Sequence, residues 1–200
     1  MSLTTYDGLV ASIRAWLMDR DDLAAVIPDF VALAEADMSN RLRLRSMLTE
    51  TTFPDAGGAL PADCVKVRSV ARDNYGHLAF ASDAAVDEYS VGLRGGQSLY
   101  WTIEGNNLVI GPAQTGGGTV TLRYYQRVPA LSASNQTNAV LIAAPGAYLY
   151  GSLMQAAPFL LEDARLQTWG TLYSQAVDLL QASDDDAEYP GPLIPEVSQW

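Results

Sequence analysis

The chain has 200 residues, of which 48% are hydrophobic, and a formal net charge of −11. That length and apolar content describe a globular protein of one domain, or one domain with an insertion, able to bury about 70% of its unfolded surface without a disulfide or a structural metal. One cysteine, Cys64, and one histidine, His77, exclude an intrachain disulfide framework and multi-histidine metal sites, and leave little room for Ser-His-Asp or Cys-His catalysis.

The charge is uneven. Residues 1–72 carry 8 Lys/Arg against 10 Asp/Glu, and residues 73–200 carry 4 against 13. A nucleic-acid reader shows a basic stripe; this chain is expected to repel DNA at long range, either for plain solubility or as a surface past which a duplex slides. The start, MSLTTYDGLV, has no basic region followed by an apolar core, so no signal peptide is expected. No apolar run approaches about 18 residues, so no membrane span is expected. The lone thiol fits a reducing cytosol.

In chain order, Thr5 is an expected N-cap. Tyr6, Leu9, Val10, Ile13, Trp16 and Leu17 follow as a helical stripe, broken by Asp19-Arg20-Asp21-Asp22. A short turn over 23–27 leads to Pro28. A further helix is predicted from Pro28 to about Met47, with Phe30, Val31, Leu33, Ala34, Met38 and Leu42 on its apolar face. Arg41, Arg43 and Arg45 cluster at its predicted C-terminal end. There they either serve the helix dipole and nearby acids or contact a partner's acidic groups or DNA phosphate.

The pattern changes at Thr49. Pro54-Asp55-Ala56-Gly57-Gly58 and Leu60-Pro61-Ala62-Asp63 are turn chemistry. Val65, Val67 and Val70 alternate as in a strand, Asn74-Tyr75-Gly76 reads as a turn, and Leu78-Ala79-Phe80 as a short strand. A brief helix is predicted from Ala84 to Tyr89, capped by Ser82 or Asp83. Leu99 to Glu104 and Leu108 to Ile110 form a predicted hairpin across Gly105-Asn106-Asn107. Thr119 to Arg127 is the most β-rich run. Residues 49–130 are therefore expected to form an inserted antiparallel β-subdomain of short strands, a sandwich or partial barrel.

Pro129 to Thr137 is a polar connector, and Asn138 is placed to cap a short helix through Ile142. The most strongly patterned stretch, Pro145 to Asp186, reads as two packed helices. Tyr148, Leu149, Leu153, Ala156, Ala157 and Leu160 mark the first, and Pro158 is expected to end or kink it. The second is predicted to begin near Glu162-Asp163, with Leu166, Trp169, Leu172, Tyr173, Ala176, Leu179 and Leu180 as its stripe. Asp184-Asp185-Asp186 oppose the helix dipole and are expected to help stop it.

The predicted fold class is α+β: a helical bundle from both chain ends (1–48 and 131–186), the β-subdomain between them, and an extended C-terminal arm over 187–200. That arm has three prolines and no regular period, yet carries Leu193, Ile194, Val197 and Trp200. It either folds loosely on its own domain or inserts these apolar anchors into a neighbour, prolines lowering the ordering entropy.

Catalytic and cofactor chemistry is not apparent. Cys64 reads as a small buried hydrophobe and His77 as a solvated turn residue. Gly95-Gly96 and Gly116-Gly117-Gly118 lack the lysine and hydroxyl of a phosphate loop. Asp184–Asp186 lack the glycine and distal glutamate of a calcium loop. Adjacent acids such as Asp87-Glu88 and Glu162-Asp163 do not face each other on a helix. No catalytic residue, cofactor or metal ligand is nominated.

Four segments carry a family resemblance: IPDFVALAEADMSNRLRLR (27–45), LPADCVKVRSV (60–70), LRYYQRVPALS (122–132) and PGAYLYGSLMQAAPFLLEDARLQTWGTLYSQAV (145–177). Together, and in order over most of 5–182, they resemble the head-to-tail adaptor proteins of tailed bacteriophages. The resemblance implies a helical bundle with a β-insertion in a ring of twelve copies under the portal protein. On it the tail, nozzle or stopper is built, with DNA passing through an acidic channel without specific binding. It implies a virion neck protein assembled in the host cytoplasm, with no enzymatic activity. Leu193, Ile194, Val197, Trp200, Arg41, Arg43 and Arg45 are then the candidate partner-binding residues. The alternative is a carbohydrate- or receptor-binding module with Tyr100, Trp101, Tyr124 and Tyr125 as a stacking surface. A small hydrolase is a third and poorer option.

Overall fold

Thr5 opens the first helix: its hydroxyl accepts from the Gly8 N–H at 3.2 Å, satisfying a donor that the first turn leaves unpaired. This is the computed structural model of the chain, and it describes residues 3–73, 76–82, 84–86, 100–111, 118–160 and 165–188. The fold is α+β, with helices at both ends of the chain and sheets between them. It divides into two compact units, residues 1–46 with 128–200, and residues 47–127.

In the helical unit, α1 (Tyr6–Trp16) buries Leu9, Ser12 and Ile13. It ends in two consecutive left-handed residues, Met18 at φ 59° and Asp19 at φ 52°, before the single turn α2 (Asp21–Ala24). Helix α3 (Ile27–Arg41) has Pro28 in its first turn, where a missing N–H costs no bond. It is shorter than the sequence predicts. Leu42 turns extended, at φ −82° and ψ 145°, and residues 45–47 form a 3-10 turn. The competing interaction is side-chain pairing: the N–H groups of Arg43 and Arg45 bond to Gln181 and Asp184 instead of to helix carbonyls.

After the connector, Asn138 caps α4 (Ala139–Ala143), its Oδ1 accepting from the Leu141 N–H at 2.8 Å. Helix α5 (Pro145–Gln155) is the hub, packing against α1, α3, α4 and α6 (Arg165–Glu188). It gives the core Ala147, Tyr148, Leu149, Gly151, Ser152 and Leu153. A Cβ at Gly151 would lie 2.9 Å from the Tyr173 ring and 3.2 Å from the Ala34 Cβ, so three helices meet there because one of them has no side chain. Pro158 sits in a 3-10 turn, Ala157–Phe159, that follows the end of α5.

Helix α6 buries Trp169, Tyr173 and Val177, four residues apart, while Leu179 of the predicted stripe is 71% exposed. The three aspartates do not stop it. The helix runs through them to Glu188, because Arg45 compensates the dipole: its guanidinium meets Asp184 Oδ1 at 3.1 Å and donates to the Ala187 carbonyl at 3.3 Å. The predicted Glu162-Asp163 start lies outside the described residues.

Among the described residues, the second unit forms two four-stranded sheets. One has the order β1 (Leu48–Pro54), β8 (Thr119–Gln126), β3 (Cys64–Arg72), β4 (Gly76–His77). The other has the order β2 (Gly57–Ala59), β7 (Asn107–Gly111), β6 (Tyr100–Glu104), β5 (Ala79–Phe80). All pairings are antiparallel except β5 with β6. Strand β1, where sequence reading placed no strand, pairs with β8 from Leu48↔Tyr125 to Pro54↔Thr119. Its Thr49, Thr51, Thr52 and Phe53 are the β-branched and aromatic residues that favour a pleated edge, and Pro54 falls at its end. Strand β2 likewise occupies part of the predicted turn. Gly57, at φ +82°, allows it: a Cβ there would sit 2.0 Å from the Leu108 carbonyl oxygen. Gly105, at φ +60°, turns the β6–β7 hairpin. Inward-facing Val70, Val120, Leu122 and Tyr124 of one sheet share a core with Trp101, Leu108 and Ile110 of the other. Residues 84–86 are helical; the rest of the predicted 84–89 helix and the Asn74-Tyr75 pair lie outside the described residues.

Candidate interaction surfaces

Titratable side chains are scattered over the fold. Among the described residues no group of three His, Cys, Asp or Glu could hold a metal ion. Burial and the nearby Asp63 push the Cys64 thiol up, the wrong direction for a thiolate nucleophile. His77 lies exposed on β4.

The buried polar chemistry of the helical unit is structural. Glu35, 7% exposed, accepts from the Leu131 N–H at 2.8 Å and from the Tyr148 hydroxyl at 3.1 Å. Burial raises the Glu35 carboxyl above its ordinary value, and these two donors only partly offset it. Asn138 donates to the Pro129 carbonyl at 2.8 Å and to the Tyr148 oxygen at 2.5 Å. Ser39 accepts from the Val128 N–H at 3.2 Å. Residues 128–138 are therefore a strap fastened across α3 by two polar side chains of one helix face, Glu35 and Ser39, four residues apart. Burial pushes the Tyr148 hydroxyl far up, so it stays a neutral donor. Tyr173 is raised by burial and then by Asp37, to which it donates at 2.5 Å. Sequence reading missed this strap. Its signal was present: Glu35 and Ser39 are polar residues inside the apolar periodicity of α3.

The candidate arginines line one edge of the bundle, each engaged within the chain. Arg41 sits 3.3 Å from Asp37 and 5.6 Å from the centre of the Tyr173 ring. The Arg43 guanidinium donates to the carbonyls of Ser39, at 2.9 Å, and Leu42. Arg45 grips Asp184, and together residues 43–45 dock on the last turns of α6. Arg41 and Arg45 remain about half exposed. Leu193, Ile194, Val197 and Trp200 lie outside the described residues.

Of the aromatic residues in the alternative reading, Tyr100 is half-buried at the start of β6. Trp101, Tyr124 and Tyr125 are 6–8% exposed, and Trp101 and Tyr124 belong to the core of the sheets. Aromatic residues on strands serve core and platform equally well, and only the register decides. Phe80 is exposed, 66% accessible, and edge-on to Trp101 with centroids 4.9 Å apart.

An apolar groove of about 310 Å³ runs between Ala143, Ala144 and Gly146 on one wall and Ala176, Leu179, Leu180 and Ser183 of α6 on the other. Leu179 and, near the opposite wall, Ile142 are 71% and 69% exposed. The described surface here offers contact chemistry, exposed apolar side chains on a helix pair.

Residues 4–196 match a protein-family model described as the SU10 adaptor protein. No curated protein matches the sequence.

Proposed function

Because the chain belongs to the SU10 adaptor protein family, a phage head-to-tail adaptor family, we propose that it forms a ring between the portal protein and the tail or nozzle and surrounds the path of the DNA. The observation that carries this is the family match across 4–196, nearly the whole chain. Twelve copies around one axis meet through heterologous contacts, one face against a different face of the next copy. Such a protein needs rigid surfaces and no reaction chemistry, and we take it to be non-enzymatic.

In this proposal the anchors are Leu193, Ile194, Val197 and Trp200, which bind a neighbouring virion component, with Arg41, Arg43 and Arg45 at the rim where acidic groups of that partner approach. The net charge of −11 per copy gives the channel an acidic wall. DNA affinity comes from phosphate neutralisation by Lys and Arg, so such a wall lets the duplex pass. Assembly takes place in the host cytoplasm and the finished ring resides in the virion neck. The division of labour is a helical bundle, 1–48 with 131–186, an inserted β-subdomain, 49–130, and an arm, 187–200.

The test is electron microscopy of the protein mixed with its cognate portal, with mass photometry of the protein alone. A collar of twelve-fold symmetry on the portal is expected. A clean monomer that never binds the portal would overturn the ring.

A further inference from the structure

Helix α6 changes character after Val177. None of its residues from 178 to 188 is buried. That span carries five acids, Asp178, Asp184, Asp185, Asp186 and Glu188, and no lysine or arginine. Negative charge at a helix C-terminus opposes the dipole, and the last four carbonyls have no partner inside the helix. Both are offset from another segment. The Arg45 N–H donates to Asp184 Oδ2 at 2.7 Å, its Nε to Asp184 Oδ1 at 3.1 Å and its Nη1 to the Ala187 carbonyl at 3.3 Å. Arg43 adds one bond, from its N–H to Gln181 Oε1 at 2.8 Å. Arg45 itself is fixed in place, since Leu44 before it and Met47 after it are 3% and 2% exposed.

We propose that Arg45 is a latch on the end of α6. While it holds Asp184 and the Ala187 carbonyl, the helix runs to Glu188. When an acidic group of a bound partner takes the guanidinium, residues 178–188 unravel. The latch follows from contacts within this chain; its trigger rests on the reading of Arg45 as a partner contact. Geometry permits the exchange. The Arg45 side chain is 51% exposed and that of Asp184 15%, so a second carboxylate reaches the guanidinium from solvent without displacing a core residue. A pair this exposed contributes little net stability, and a partner carboxylate competes with Asp184 on near-equal terms.

Unravelling changes reach. Residues 178–188 span about 16 Å as helix and up to about 38 Å when extended. The chain that follows Glu188 gains about 20 Å of travel from a root at Val177, which stays in the core with Tyr173 and Trp169. In the free protein the end of α6 is short and ordered. The partner that calls for the longer reach brings the charge that releases it, an order-to-disorder switch.

Hydrogen exchange of the full chain, read by mass spectrometry, tests the latch. Arg45→Gln should make the amides of 181–188 exchange about tenfold faster, through loss of a charge-assisted pair, with those of 165–177 unchanged. Arg41→Gln, whose arginine pairs with Asp37, is expected to leave 181–188 as in the parent. In the Arg45→Gln chain, Asp185→Asn with Asp186→Asn should restore protection by relieving the dipole. Equal exchange of 181–188 in parent and Arg45→Gln, no rescue by the asparagines, or faster exchange that spreads through 165–177 would overturn the proposal. The trigger is read on the parent bound to its cognate portal, where 178–188 should lose protection. Protection kept on the bound chain removes the trigger and leaves the ring. A portal that does not bind removes the ring reading and the trigger together, and the Arg45 comparison still decides the latch.

Discussion

Glu35 shows how a single buried carboxylate ties a connector to a helix and makes stability depend on pH. Its carboxyl is raised in the folded protein by burial, against the pull of the Leu131 N–H and the Tyr148 hydroxyl. A raised carboxyl binds its proton more tightly when folded than when unfolded, so stability from this group is greatest below the unfolded value of about 4.5 and is lost as pH rises through the higher folded value. Glu35→Gln keeps an acceptor for both donors and removes the ionisation. Its expected effect is a flatter stability profile above about pH 4.5, with equal or greater stability at the alkaline end, read by urea unfolding. Glu35→Ala should cost about 2 kcal/mol or more at every pH, because two buried donors lose their acceptor. A pH profile of Glu35→Gln identical to that of the parent would refute this account. The partners of Glu35 were hidden in the sequence: Leu131 is 96 residues away and Tyr148 is 113, and no local pattern joins such pairs.

Among elements, α5 is decisive because it touches every other long helix of its unit. Gly151→Ala would push a methyl into the Tyr173 ring and the Ala34 Cβ. Overpacking of this kind costs about 1–3 kcal/mol, so a fall in the thermal midpoint of several degrees is expected by calorimetry. No change would mean that the helices part at no cost. Elements with a dominant period were legible in the sequence: α1 with its Thr5 cap, α4 with Asn138, the hairpin at Gly105 and strand β8. The losses have one physical theme, the override of local propensity by tertiary partners. Helix α3 stops at Arg41 because α6 offers Gln181 and Asp184 to the next backbone donors. Helix α6 passes its three aspartates because Arg45 returns the favour at the far end. Strand β1 forms across a threonine-rich stretch because β8 supplies a full partner edge. Of the candidate contact residues, the arginines were visible as a cluster but not as a docked segment, since the acceptor residues lie some 140 positions downstream.

For the whole molecule, charge sets what it will not hold. With 12 Lys/Arg against 23 Asp/Glu and its half-exposed arginines facing acids of the same chain, the protein should show no retardation of duplex DNA at physiological salt. A true phosphate contact set would give an affinity that climbs steeply as salt is lowered, with a slope of about 0.9 per phosphate neutralised. A shallow or absent slope from 200 down to 50 mM salt, measured by fluorescence anisotropy, is expected. A steep one would reassign Arg41, Arg43 and Arg45 to the DNA path.

The interruption of the bundle by an 81-residue unit, residues 47–127, has a kinetic consequence. Helix α3 must find α5 and α6 across that span. If the intervening chain were still unstructured, closing it would cost about 4 kcal/mol of loop entropy beyond the constant part. Prior folding of the sheets shortens the loop to the separation of their two ends, so the β-unit acts as a nucleation aid for helices it does not belong to. Gly57→Ala, which drives a methyl against the Leu108 carbonyl, should therefore slow the appearance of the bundle as well as of the sheets. Stopped-flow fluorescence of the buried Trp169, with Trp16, Trp101 and Trp200 replaced by Phe in parent and variant alike, reads that delay, and an unaltered rate would mean that the two units nucleate independently.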